Sequence, residues 1–492
     1  MRALRACPEL DVRVVAVAGA PWSPPAGLAA RLVGPALAPA TVTLDGGELR
    51  GADIVVNFVA GEPNVEPPHG VWSFRLGDSD ARGLPFAREI AAGAVTVEIA
   101  LLSRTGERVR QLRRGRFGVT RWHPSTLRRA LGEAAGWPAV LAGALAAGVA
   151  LDGVPAAPAP PARPLAPLEQ LRFGGALFAR LAASLLENLL EVTEWNVGFS
   201  PGGPREVLAG TPLAVRWLPR PCARSFLADP FVVERDGLRV LFAEDYDYDR
   251  DRGVIDALVL DDAGAVVRRE RALDIPTHVS YPYPLEIDGE LYLIPENCAG
   301  NEVAFYRCVE FPHRWERESA LLPAFDGVDT TLFQHDGRWW ALCTRYSRGS
   351  TLALYAFHAP SVRGPWAEHL LNPVVVDVAS ARPGGPTFVV DDVLYRPAQD
   401  CSASYGGGLV VMRIDALTPN AYHETPVRRI DPSGFGRYRD GVHTLSFARG
   451  LIVVDGKHVY RDVRKLGWAA RRMRRRLGRL LDRRWAGRPN PA

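Results

Sequence analysis

LADPFVVERDGLRVLFAED, residues 227–245, reads as an apolar strand, an Asp-Gly turn and a second apolar strand, and the chain repeats this pattern. SYPYPLEIDGELYLIPEN (280–297), DTTLFQHDGRWWALCTR (329–345), RPGGPTFVVDDVLYRPAQD (382–400) and HTLSFARGLIVVDGK (443–457) have the same shape. With Asp229, Ser280, Asp329, Arg382 and His443 taken as equivalent, the repeats are spaced 51, 49, 53 and 61 residues apart. A period near 50 with short strands is that of propeller blades. Fivefold recurrence argues against the alternative, a β-sandwich of strong hairpins. The first unit shows four strands, at 230–235, 238–244, 253–260 and 265–272. The last runs short of strands, so segments 195–200 and 206–218 are expected to complete it and close an open sheet edge. Residues 194–460 are therefore expected to form an all-β five-bladed propeller.

The start of each innermost strand converges on the axis of such a fold. Here those starts carry Asp229, Ser280 with Tyr281, Asp329, Arg382 and His443, and the second strands end in Glu244-Asp245, Glu296-Asn297, Arg345 and Gln399-Asp400. Acidic groups there are costly to bury without a partner or ligand. One reading is an ion-pair ring centred on Arg382. The other is carbohydrate chemistry, in which carboxylates, Arg and amides bind hydroxyls while Tyr281, Trp339, Trp340 or Tyr405 lies under the sugar ring. Cleaving a glycosidic bond needs one carboxylic acid and one carboxylate. Asp229, Asp329 and Glu296 are the catalytic candidates; Tyr281, Arg382, Gln399, Asp400, Tyr405 and His443 are the substrate-binding candidates.

The Ala-Asp-Pro at 228–230 and the strand start at 329 resemble the blade openings of glycoside hydrolase family 43. That likeness implies Asp229 as base, Asp329 as the acid that orients it, and a Glu as proton donor. Glu296 precedes Asp329, whereas the family places its Glu last. SYPYPLEIDGELYLIPEN, the DTTLF…GRWW block, GPW…HLLNPVVVD (364–377) and ARPGG…LYRPAQD…YGGG resemble the propeller at the N-terminus of the glucosamine inositolphosphorylceramide transferases. This implies a role with a glycan or glycolipid precursor in cell-envelope polysaccharide biosynthesis. The protein is expected either to act on the sugar or to bind it and recruit a glycosyltransferase.

VPAAPAPPARPLAP (154–167) is a stiff Pro/Ala linker between an N-terminal domain (1–153) and a helix over 168–193. Residues 12–18 and 53–60 read as buried strands of an α/β domain. HGVWSFRLGD and the segment 84–109 resemble a formyltransferase core. Ser73 and Arg75 stand where that family has its Asn and His, and a permanently charged Arg is no acid or base at neutral pH. Formyl transfer is not expected.

Six scattered cysteines, Cys7, Cys222, Cys298, Cys308, Cys343 and Cys401, form neither a zinc motif nor a disulfide framework. No metal or cofactor is expected, and reduced thiols fit a cytoplasmic protein. The N-terminus lacks an uninterrupted apolar core of a secretory signal. The 15 residues Trp137–Leu151 fall short of the ~20 that span a bilayer. The net charge of +4 conceals an asymmetry: Arg461–Arg488 holds twelve Lys/Arg against two Asp, leaving about −6 for the rest. Apolar residues recur at helical spacing through this tail, so 461–492 reads as a basic amphipathic helix suited to an anionic membrane surface, the inner face of the membrane being the expected place. No nucleic-acid fold accompanies it, and nucleic acid is not an expected partner.

Overall fold

In the computed structural model, residues 52–57, 65–77, 84–158, 164–220, 224–463, 465 and 467 are described. Contacts divide the chain into two units, one of residues 1–184, 368–379 and 416–422, the other of 185–367, 380–415 and 423–492.

The second unit is built on five sheets, mainly of four antiparallel strands each. Blade I runs Ser225–Arg235, Leu238–Asp247, Arg252–Leu260 and Val266–Leu273, and blade II runs Ser280–Ile287, Glu290–Glu296, Glu302–Glu310 and Arg314–Pro323. Blade III begins with Gly327–His335, Arg338–Arg345 and Ala353–Ala359, and blade IV with Phe388–Val390, Val393–Asp400 and Gly408–Thr418. Blade V is composite. Leu445–Ala448 and Leu451–Arg461 are joined by the earlier strands Glu191–Pro201 and Arg216–Trp217. Pairing runs from Leu451↔Pro201 to Arg461↔Glu191, so the last blade is completed by chain from before the first. The extra strand is longer than the expected 195–200, and the short helix Pro204–Ala209 occupies part of what was expected as strand over 206–218.

The hairpin turns follow from residue type. Asp236-Gly237, Asp288-Gly289 and Asp336-Gly337 all have positive φ at both residues, the backbone whose twist matches paired strands and which Asp and Gly tolerate best. Between the blades the faces are apolar. Phe231, Tyr281, Tyr283, Phe305, Leu332 and Phe357 form one buried cluster, and Phe242, Ile255, Leu293, Tyr306 and Trp315 form another.

Successive first strands then touch around a ring. The Thr444 hydroxyl donates to Asp229, the Tyr281 amide to Asp229, and the Tyr281 hydroxyl meets that of Thr331 at 2.8 Å. Arg382 donates to Asp329, and the Leu445 amide to the Gly384 carbonyl at 2.8 Å. Each sheet stays open and the ring is closed by side chains and loops, which is the propeller arrangement.

The described part of the first unit holds a mixed sheet. Val55–Asn57 runs parallel to Val71–Leu76, and Thr96–Thr105, Arg108–Gly118 and Val154–Pro155 follow antiparallel. Helices His123–Ala134 and Trp137–Ala146 accompany it, and the buried Trp137 ring lies 6.5 Å from Phe74 and Phe117. The strand expected at 12–18 and the tail beyond 467 lie outside the described residues.

Candidate functional site

The site grows from one backbone device used three times. In the first strands of blades I, II and III the register slips between Ala228 and Phe231, Ser280 and Tyr283, and Val328 and Thr331. Each bulge holds a residue at positive φ: Asp229 at 52°, Tyr281 at 44° and Asp329 at 50°. A non-glycine residue there stores roughly 1–3 kcal/mol of strain, which the surrounding contacts must offset. The residue before each bulge pairs with the end of the second strand, giving Ala228↔Glu244, Ser280↔Glu296 and Val328↔Thr344. The repeat thus brings Asp229, Glu244, Glu296 and Asp329 into one buried acidic group.

Asp229 accepts the Thr444 hydroxyl at 2.9 Å and the Tyr281 amide at 3.1 Å, and His443 Nε2 lies 3.7 Å away. Burial pushes its carboxyl up to about 6; Asp329 and Asp455 add to the rise while His443 and Thr444 oppose it. The other face of His443 is fixed. Nδ1 sits 2.5 Å from Asp455, and the ring stacks on Trp195 at 3.9 Å. Burial disfavours the imidazolium, but Asp455 and Asp229 outweigh it and hold its pKa above the usual value. Asp455 also accepts the amides of Asp229, His443 and Thr444.

Asp329 is saturated. It accepts Arg382 Nε at 2.6 Å, Arg382 Nη2 at 3.2 Å and Gln399 Nε2 at 2.7 Å. Glu296 lies 3.4 Å from Arg382 Nη2. Burial drives its pKa well above the ordinary carboxylate value; Arg382 opposes this, and Asp329 and Asp229 reinforce it. Glu244 is raised likewise, first by burial and then by the charges of Asp229, Glu296, Asp245 and Asp329. His278 Nε2 lies 3.7 Å from it, and burial lowers the pKa of that imidazole. Gly253 is required opposite it, because a Cβ there would fall 2.3 Å from Glu244 Oε1. Burial thus pushes Glu244 and Glu296 strongly toward the protonated form, beside Asp229, whose carboxyl is raised to about 6.

Several expectations are corrected. The Tyr281 ring is fully buried against Phe231 and Tyr283, so its amide serves the site while its ring is core. Trp340 is also core, and Trp339 packs against the same cluster as Tyr281. Asp400 turns outward to Arg429 at 2.5 Å and accepts the Ser402 amide, which makes it a loop anchor. Gln399 is fully buried, and its Nε2 donates to Asp329 and to the Pro383 carbonyl, which positions Asp329. Tyr405 is 45% exposed, with Arg382 5.2 Å above its ring and His443 edge-on at 5.5 Å.

The sequence reading left three groups out of the site. Glu244 was visible as the blade I counterpart of Glu296, since AED at 243–245 aligns with PEN at 295–297. Asp455 and Lys457 gave no such signal. Both sit in a strand whose burial only the closed ring creates. Lys457 donates to Ser404 and to the Tyr405 carbonyl, holding that loop, and burial lowers its pKa.

Among the described residues, Asp229, His443 and Asp455 form the group whose donor atoms converge within 4.8 Å, as a cation would need. Both Asp455 oxygens, however, already accept backbone amides. The trio is a closed hydrogen-bond network first.

Two outcomes follow. Asp229, Glu244 and Glu296 bind protons more tightly folded than unfolded, and so does His443, so stability from this cluster falls as pH rises. For Asp229 the fall runs from about pH 4 to about pH 6 and amounts to on the order of 3 kcal/mol. Melting temperatures measured across that range should decline less steeply in Asp229→Asn; parallel wild-type and variant curves would contradict the assignment. Glu244→Gln, which replaces a carboxyl whose charged form burial disfavours, should shift stability by under about 0.5 kcal/mol in chemical denaturation at pH 7. A loss of several kcal/mol there would mean Glu244 is ionised.

Residues 219–439 match the model of a domain family described as "Glucosamine inositolphosphorylceramide transferase 1, N-terminal". The proteins named Glucosamine inositolphosphorylceramide transferase 1 of Oryza sativa subsp. japonica and Arabidopsis thaliana are 35% identical over 209 residues and 33% identical over 250. These matches take in 41% and 48% of this chain but only 28% and 32% of the plant proteins, so the chain spans about a third of their length. Among solved structures, a GH43_1 enzyme from Xanthomonas citri aligns at 14% identity and TM-score 0.35, covering 47% of this chain and 82% of its own. The RS223 beta-xylosidase aligns at 15% and 0.32, covering 42% and 74%. It is the strand pairing described above that establishes the fold. Through residues 219–439, which contain Asp229, Glu244, Glu296, Asp329, Arg382, Gln399 and Tyr405, this chain is similar to the N-terminal domain of the glucosamine inositolphosphorylceramide transferase family.

Proposed function

We propose that the funnel binds the sugar of a glycan or glycolipid precursor and performs acid/base chemistry on it. Asp229 is the base and Glu296 the proton donor, with Glu244 beside them. The observation that carries this reading is a cluster of buried carboxyls, Asp229, Glu244 and Glu296, in which burial raises Asp229 to about 6 and drives the two Glu well above the ordinary carboxylate value. Chemistry at a glycosidic centre needs this division between a carboxylate and a carboxylic acid. Asp329, Arg382 and Gln399 keep the acids in place. Tyr405, half exposed beside Arg382, supplies an aromatic face for the ring.

The second reading is a non-catalytic module that presents a glycan to a partner glycosyltransferase in envelope polysaccharide assembly at the cytoplasmic face of the membrane. It draws on two observations. Arg382 engages both Asp329 and Glu296, as in a ring built for stability. The plant proteins also extend well beyond the matched segment.

A screen of the purified protein against aryl glycosides, oligosaccharides and nucleotide sugars separates the two. Released or transferred sugar supports the enzyme. Saturable binding without turnover supports the module. Absence of both would sink the carbohydrate reading. For the first unit we keep only a likeness to formyltransferases without their activity. Arg75, at the position of that family's His, donates to the Ala157 carbonyl at 2.7 Å, and a guanidinium moves no proton at neutral pH.

A further inference from the structure

On the blade I side of the funnel a second pair of groups stands together, and the acid/base reading gives it no task. Glu244 lies near the end of the second strand of that blade, with its carboxyl buried. Among the described residues no hydrogen bond reaches this carboxyl, and His278 Nε2 stands 3.7 Å from its Oε1. His278 belongs to the connection between blades I and II and is held from both. The Gly253 amide donates to its Nδ1 at 2.8 Å, and the Val279 amide donates to the Gly253 carbonyl at 3.2 Å. On the other side the Thr277 hydroxyl donates to Asn297 Oδ1 at 2.8 Å. An occupied Nδ1 places the ring hydrogen on Nε2, so the donor faces Glu244. Burial lowers the imidazole pKa; Asp251 opposes this, Arg382 and Arg252 reinforce it, and the neutral tautomer is favoured. Gly253 lets both side chains approach, since a Cβ there would fall 2.3 Å from Glu244 Oε1 and 2.9 Å from His278 Cε1. The His278 side chain is 35% exposed, so the pair is reached from solvent.

A separation of 3.7 Å is too long for a hydrogen bond between the two groups. One small atom that both accepts and donates satisfies them together. A hydroxyl oxygen is such an atom: it accepts from Nε2–H and turns its own hydrogen to the carboxyl. An ammonium accepts nothing, and an ether oxygen donates nothing. An anion is disfavoured by Asp229, Asp245 and Asp329, whose charges already help to raise Glu244.

We propose that His278 and Glu244 together grip one hydroxyl of the bound sugar and so select which sugar enters the funnel. The inference rests on the carbohydrate reading and gives Glu244 a binding role apart from the proton donor Glu296. Isothermal titration of wild type, His278→Ala and His278→Gln tests it. The probes are the methyl glycosides of glucose, galactose, mannose and xylose, each beside its monodeoxy forms. For a glycoside that binds, removing one particular hydroxyl should weaken wild-type affinity by about tenfold or more, since it strands two polar groups. The same removal should cost His278→Ala under about twofold, because the partner is already gone. His278→Gln, whose amide N–H reaches about as far as Nε2, should keep most of the wild-type penalty. Each penalty is measured within one variant, so any change in that variant's stability cancels. An equal penalty in wild type and His278→Ala at every position would overturn the proposal and leave the carbohydrate reading standing. So would a wild-type affinity indifferent to every hydroxyl. Failure of wild type to bind any of the glycosides would overturn the proposal together with that reading.

Discussion

Asp229→Asn should lower turnover by about 100-fold or more on any sugar substrate the screen yields, because general base catalysis is worth roughly 10²–10⁴ in rate. The fold should survive. An Asn carbonyl can accept the Tyr281 amide now bound at 3.1 Å, and its amide can donate to Thr444, whose hydroxyl is free to rotate. The substitution also removes a carboxylate that burial disfavours, which is why its pKa stands near 6. Rate and stability therefore move independently. Lost turnover without a lowered melting temperature, and with intact sugar binding, marks a catalytic group. Unchanged turnover would end the assignment of Asp229 as base. A collapse in stability would make it a structural node of the blade I bulge.

Arg382→Met should be the most destabilising single change in the funnel, by about 3–5 kcal/mol. Arg382 is buried, grips Asp329 through two nitrogens and lies 3.4 Å from Glu296. Met fills much of the same volume but leaves those carboxyls in a dry site without a counter-charge. Denaturant titration of the single variant measures the loss. The double variant Arg382→Met, Asp329→Asn should recover a good part of it, since the stranded charge is gone. A single-variant loss under about 1 kcal/mol, or no recovery in the double, would show that water replaces the guanidinium and that the ring of blades does not depend on this pair.

Both expectations rest on how the acids are distributed, and the sequence reading had that only in outline. It placed Asp229, Glu296, Asp329, Arg382 and His443 at strand ends that converge, because a repeat of constant spacing puts equivalent residues at equivalent places. It named Arg382 as the centre of an ion-pair ring but not which acid it grips, nor the partner of His443. Arg382 with Asp329, and His443 with Asp455, are contacts between blades, fixed by how neighbouring sheets pack and not by spacing within one repeat. The same holds for Tyr281. A tyrosine at a convergent position looks like a sugar platform until the bulge at φ 44° turns its amide toward Asp229 and its ring into the core.

By itself, then, the sequence determined the five hairpins, their period, the Asp-Gly turns of three of them and the acidic character of the axis. Those features are local: residue type sets the turn, and alternation of apolar side chains sets the strand. Only the tertiary structure decided which carboxyls are pushed toward the neutral form, because burial and neighbouring charge from three separate blades raise Asp229, Glu244 and Glu296. It alone also decided that helix 167–190 turns its apolar stripe outward, since a stripe of leucines has the same period whichever side the protein occupies.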